Sequence, residues 1–310
     1  MLGVDSMWFD LHADIGYDIY TQHLLGNDDR FQEYHLPRLL RDKVSGVCVA
    51  CYFGNLESWE VMQECVSFAR EQILKSDVQF VLSKEDLDSD KLKVILTVEG
   101  MCGIQENASQ KIQWLYDQGV RMGSLCWNEE NALATGVLGT VDHGITALGK
   151  EAILKMQELG MILDVSHLND TSFYDVMKYD LPIIATHSNS RTLCNVLRNL
   201  SDEQLEVLNQ RDTLVGLNAY GPFVDSNEQL RDCAHLVKHA KYLQSKLGLH
   251  KVACGFDFMD FYDPNTHMLN DMNSTLELVN FESAMECEYN KKDILRIVSE
   301  NTLDFLRKYL

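Results

Sequence analysis

Long apolar runs are missing from this 310-residue chain, none approaching the ~18 residues of a membrane span. A positively charged leader followed by an apolar stretch is also missing, so a cytoplasmic protein is expected. Basic residues are scarce, 27 against 47 acidic, giving a formal net charge of -20. A phosphate backbone or an anionic lipid surface would be repelled, so neither nucleic acid nor membrane is an expected partner. Prolines number four, with Pro37 the one before Pro182, and no low-complexity linker divides the sequence. The nine cysteines form no dense framework, and several sit in apolar runs such as Val47 to Cys51. They read as buried reduced thiols, and Cys48-x-x-Cys51 lacks the second ligand pair of a zinc finger. The C-terminal stretch from Ser299 to Leu310 reads as an amphipathic helix and not as a lipid-anchor signal.

What is present is an alternation of apolar strands and helices. Strands are expected at Met7 to Asp14, Val44 to Phe53, Lys93 to Gly100, Val120 to Trp127, Met161 to His167, Leu181 to Ser188, Leu214 to Tyr220 and Val252 to Phe258. They are continuous apolar runs, as parallel strands buried on both faces require. Eight such units in this length predict a single (β/α)8 TIM barrel spanning 1-310. A doubly wound open sheet would call for a glycine-rich phosphate loop, and no G-x-G-x-x-G or P-loop occurs. Ile15 to Arg41 looks polar and irregular, an expected substrate-covering loop.

The polar residues concentrate where the strands end. His12 and Asp14 close the first strand, Glu99 the third, His167 the fifth, His187 the sixth and Asp257 the eighth. In a barrel these ends share one mouth, and imidazoles with carboxylates are ligands that zinc accepts. Three histidines and two carboxylates exceed the needs of one catalytic zinc. With Glu99 bridging, one Zn2+ takes His12, Asp14 and Glu99, and a second takes Glu99, His167 and His187. Two such cations turn a shared water into hydroxide near neutral pH and polarise the carbonyl it attacks. Asp257 remains for proton transfer.

Taken with Asp10-Leu11-His12-Ala13-Asp14, Val98-Glu99-Gly100, Leu163-Asp164-Val165-Ser166-His167, Thr186-His187-Ser188, Arg198-Asn199, Pro222-Phe223-Val224 and Gly255-Phe256-Asp257-Phe258, the chain resembles the renal (membrane) dipeptidase family of zinc peptidases along essentially its whole length. The resemblance implies a barrel of metallo-dependent hydrolase type and hydrolysis of a dipeptide with a free C-terminal carboxylate. It implies a bridging hydroxide as nucleophile, Asp257 passing a proton to the leaving amine, and Arg198 gripping the carboxylate. It also implies a homodimer.

The mammalian members of that family carry a histidine just past the fourth strand that helps hold the substrate carbonyl. Here Leu125 to Asn131 has none, and Trp127 or Asn128 takes the place, with Asn128 a candidate hydrogen-bond donor. Tyr220 is expected in the pocket wall. His23 and His35 are expected in the loop after the first strand, and His235, His239 and His250 on the surface. Rival readings are another barrel amidohydrolase, which would more typically show His-x-His on the first strand, and a non-catalytic metal- or peptide-binding protein on a degenerate barrel.

Overall fold

Parallel strands hide both faces, and the way this chain fills the two sides shows the architecture. The computed structural model describes residues 7–262 and 266–310. Its strands are β1 (Trp8–Ala13), β2 (Val44–Tyr52), β3 (Gln79–Phe80), β4 (Lys93–Glu99), β5 (Val120–Gly123), β6 (Ile162–Asp164), β7 (Ile183–Ala185), β8 (Thr213–Leu217) and β9 (Val252–Cys254). All pairings are parallel. Asp10 of β1 pairs with Cys254 of β9, closing an eight-stranded barrel of the expected (β/α)8 type. The short β3 is an addition. It pairs with Lys93 and Val94 at the start of β4, below Leu96, where β5 takes over that edge.

Inside the barrel, Phe9 and Leu11 of β1 meet one residue from each of the other seven barrel strands, among them Cys48, Ile95, Met122 and Ile184. Phe305 and Leu306 of the C-terminal helix Asn301–Tyr309 close its lower end. A second, larger apolar layer lies between the strands and the surrounding helices. Eight of the nine cysteines are buried and all are free; Cys287 is exposed. Among the described residues no helix is long and apolar enough to cross a membrane.

Side-chain caps and a glycine stop mark the ends of the surrounding helices. Thr146 accepts from the backbone N–H of Gly149 to open helix Ala147–Leu159, which Gly160 ends at φ +70°. Ser201 and Gln204 form a reciprocal capping box at Asp202–Asn209. The expectation of an irregular loop from Ile15 to Arg41 is overturned. This segment is helical over Ile15–Leu24 and again through Phe31–His35 into Leu36–Arg41. Its polar residues are internal partners: Arg30 Nε donates to Asp18 Oδ2 (2.7 Å), and His35 Nε2 lies 2.7 Å from the same oxygen. His35 therefore sits in a buried ion-pair cluster on a helix and not in a loop.

His239, expected on the surface, is buried on helix Cys233–Leu247. The backbone N–H of Ser190 donates to its Nδ1 (3.1 Å), and its Nε2 donates to the Val224 carbonyl (2.8 Å), tying two loops together behind the barrel mouth. Burial pushes its pKa down to about 4 from the ordinary 6.5. The unfolded chain then binds a proton that the native state refuses, so stability falls as pH drops from about 6.5 to about 4, by about 3 kcal/mol. Urea unfolding should show wild-type protein losing its stability advantage over His239→Gln by about that amount between pH 7 and pH 4. An advantage that stays constant across this range contradicts the buried neutral imidazole.

Candidate metal centre

Each candidate ligand stands at the upper rim of the barrel. His12 lies near the end of β1, and Asp14 follows it at the N-cap of helix Ile15–Leu24. Glu99 is the last residue of β4. The chain turns immediately at Gly100, with φ +81°, where an added Cβ would come within 2.3 Å of the Phe53 carbonyl oxygen, so only glycine fits. His167 follows β6, His187 follows β7, and Asp257 follows β9 in a left-handed conformation at φ +60°. The barrel brings them together. Glu99 Oε1 lies 3.5 Å from His12 Nε2, 2.6 Å from His167 Nε2 and 3.2 Å from His187 Nε2. His12 Nε2 is also 3.4 Å from Asp14 Oδ1 and 4.0 Å from Asp257 Oδ1. The ligand atoms of His12, Glu99 and His187 form one group compact enough for a cation, and those of His12, Asp14 and Asp257 form another.

The imidazoles are aimed by their far nitrogens. Thr186 Oγ1 donates to Asp164 Oδ2 (2.6 Å), which leaves its lone pair for the Nδ1–H of His187 (2.7 Å). His167 Nδ1 donates to Asn128 Oδ1 (2.9 Å). Both rings thereby present an Nε2 lone pair to Glu99. Two aspartates passed over as site residues hold the rim from below. Asp10 Oδ1 accepts the backbone N–H of His12 (3.2 Å) and of Phe256 (2.9 Å), joining β1 to the segment before Asp257. Asp164 Oδ1 accepts from the backbone of both Ser166 (3.0 Å) and Thr186 (3.1 Å). The signal for both was on view: an aspartate precedes the histidine by two or three residues in Asp10-Leu11-His12 and Asp164-Val165-Ser166-His167.

The electrostatics of the cluster call for added positive charge. Burial drives Glu99 well above the usual carboxylate range and Asp257 up to about 6, with Asp14 adding to both. Burial opposes a charge on His12, but Glu99, Asp14 and Asp257 outweigh it and hold its pKa up at about 10. His167 and His187 are driven far down by burial and by Arg198 and His12, so they are neutral, the form in which imidazole binds metals. His12 Nε2 and Asp14 Oδ1 are buried with no hydrogen-bond partner. A donor set of this kind, hard oxygens beside neutral imidazoles, fits divalent cations of zinc type.

Beside the cluster opens a cavity of about 790 Å³. Arg198 is buried at its edge, its Nη1 donating to Ser188 Oγ (3.3 Å) and its Nη2 to His167 Nε2 (3.0 Å), while its Nε has no partner. Asn128 and Tyr220 both line the cavity, Tyr220 with its ring edge-on to Phe223. The other histidines lie apart from the cluster. His143 pairs with Glu130, His235 with Asp232, and His23 with Asp28.

Comparison with known proteins gives the family and the fold. The family described as membrane dipeptidase (peptidase family M19) matches residues 1–309. An uncharacterised protein in the pqqA 5' region of Klebsiella pneumoniae is 33% identical over 198 residues, 58% of this chain and 72% of that protein. Dipeptidase tcpJ of Claviceps purpurea is 22% identical over 326 residues, 96% of this chain and 76% of its own length. Among solved structures, a metallopeptidase from Rhodobacter sphaeroides, liganded with a phosphinate mimic of the dipeptide L-Ala-D-Ala, superposes with a TM-score of 0.86 at 21% identity, covering 98% of this chain and 100% of that one.

The link from Asp164 through Thr186 to His187 yields a prediction. Thr186→Val keeps the side chain's shape but leaves two buried polar groups unpaired, and should lower stability by about 1–3 kcal/mol in urea unfolding. A variant as stable as the wild type contradicts the link.

Proposed function

We propose, from the premise that this chain belongs to the membrane dipeptidase family of metallopeptidases, that it is a zinc-dependent dipeptidase acting on dipeptides with a free C-terminal carboxylate. The observation that supports this most is the placement of Glu99, with one carboxylate oxygen within 3.5 Å of three imidazole nitrogens. In this reading His12, Asp14 and Glu99 hold one Zn2+, and Glu99, His167 and His187 hold the other. Bound there, the pair would acidify a water and polarise the peptide carbonyl.

The protein's own groups do the remaining work. Arg198, buried at the cavity edge with an unpartnered Nε, binds the substrate carboxylate and fixes which peptide carbonyl faces the cluster. Asn218 Nδ2 donates to Asp257 Oδ2 (3.1 Å), which turns the other oxygen toward His12 and the cavity. With its pKa raised to about 6 by burial, Asp257 is suited to accept a proton from the attacking water and return it to the leaving amine nitrogen. Asn128 steadies His167, and Tyr220 walls the side on which the carboxylate sits.

The test is hydrolysis of small dipeptides with and without a chelator, alongside metal content. Wild-type protein should bind two equivalents of zinc and lose its cleavage to the chelator. Asp257→Asn should keep both metals and lose turnover by roughly 10²–10⁴-fold. A variant that sheds a metal would instead make Asp257 a ligand, as its grouping with His12 and Asp14 also permits. Arg198→Ala should chiefly raise KM, and an unchanged KM contradicts the carboxylate clamp.

A further inference from the structure

The cavity has two unlike sides. In the closed barrel β2 and β7 lie four strands apart, diametrically opposite. Arg198 rises from the segment after β7, beside Ser188 and with its guanidinium 5.7 Å from the ring centre of Phe223. Facing it, a continuous run of aromatic rings is centred on the β1–β2 side and extends to the segments after β5 and β9. Tyr52, the last residue of β2, meets Tyr17 edge-on (centroids 5.2 Å) and Trp127 nearly at right angles (5.2 Å), and Tyr17 in turn meets Tyr262 (5.6 Å). All four line the cavity.

This wall is braced from behind. Arg38 pairs with Asp260, and Phe261 packs edge-on against His35 at 5.0 Å, so helix Leu36–Arg41 and its lead-in hold the segment that carries Tyr262. Among the described residues lining the cavity, the charged groups are the cluster residues and Arg198; the wall itself contributes none.

We propose that this aromatic wall is the binding site for the side chain of the substrate's first residue, and that it selects large apolar or aromatic side chains over small or anionic ones. The inference rests on the dipeptidase reading for the placement of the two ends. With the carboxylate on Arg198 and the peptide carbonyl at the cluster, the first residue lies on the far side, against Tyr17, Tyr52 and Tyr262. A benzyl group there removes apolar surface from water and meets ring edges and faces at favourable geometry, whereas a carboxylate loses its hydration without gaining a partner.

The experiment compares Phe-Ala, Ala-Ala and Asp-Ala as substrates of the zinc-loaded protein, together with calorimetric binding of the phosphinate mimics of Phe-Ala and Ala-Ala. Phe-Ala should exceed Ala-Ala in kcat/KM by roughly 10–100-fold, with Asp-Ala lowest, and the Phe-type mimic should bind tighter in the same sense. Tyr17→Ala should cut the Phe-to-Ala ratio by at least about fivefold in both readouts. A lesion that only loosens the fold lowers both substrates alike and leaves the ratio intact, and that result overturns the proposal. If no dipeptide is cleaved, the dipeptidase reading fails on its own, while the ratio of mimic affinities still decides the wall: a ratio near one overturns it.

Discussion

A carboxylate at the hub of three imidazoles, in a site shielded from water, is the constraint on which the rest of this molecule depends. Glu99 is 4% exposed, and with Asp14 and Asp257 it makes three carboxylates facing two cationic groups, His12 and Arg198. Such a group is costly to bury unless cations or protons compensate it. In the protein alone, a proton on His12 does part of that, as its elevated pKa indicates. Divalent cations would do it better and would displace that proton. The site is thus electrostatically prepared for metal, and the hydrogen bonds at the far nitrogens of His167 and His187 fix the rings that face Glu99.

Those hydrogen bonds account for an oddity of the barrel. β6 and β7 are three residues long, much shorter than β2 with nine. Beyond Asp164 and Ala185 the ladder is continued by side chains, with Asp164 accepting the backbone N–H groups of Ser166 and Thr186 in place of a neighbouring strand. This frees the backbone to turn and lets His167 and His187 lean over the barrel axis. Asp10 does the same across β1 and β9. The lower barrel, packed with Phe9, Leu11, Ile95 and Met122, supplies rigidity, and the upper rim exchanges regular pairing for ligand placement.

Much of this was legible in the sequence because barrel topology turns distant strand ends into neighbours, so His12, Asp14, Glu99, His167 and His187 could be grouped before any coordinates. Helix Ile15–Leu24 was not legible, for a physical reason. Asp18 on its inner face is buried by pairing with Arg30 and His35, which breaks the apolar stripe that marks a helix. His239 misled in the same way: a polar residue on a polar-looking helix, buried because two loop backbones meet its two nitrogens. The part Asn128 plays toward His167 depends on a side-chain direction that no spacing encodes. The aromatic wall likewise draws Tyr17 from a helix, Tyr52 from a strand end and Trp127 and Tyr262 from loops, and becomes visible only when the ring closes.

In the proposed dinuclear centre Glu99 is shared between two cations. Diffraction from zinc-soaked crystals, recorded at the zinc absorption edge, tests it most directly. Two anomalous peaks about 3.5–4 Å apart, one on each side of the Glu99 carboxylate, are predicted. A single peak, or a pair from which Glu99 stands aside, would contradict it.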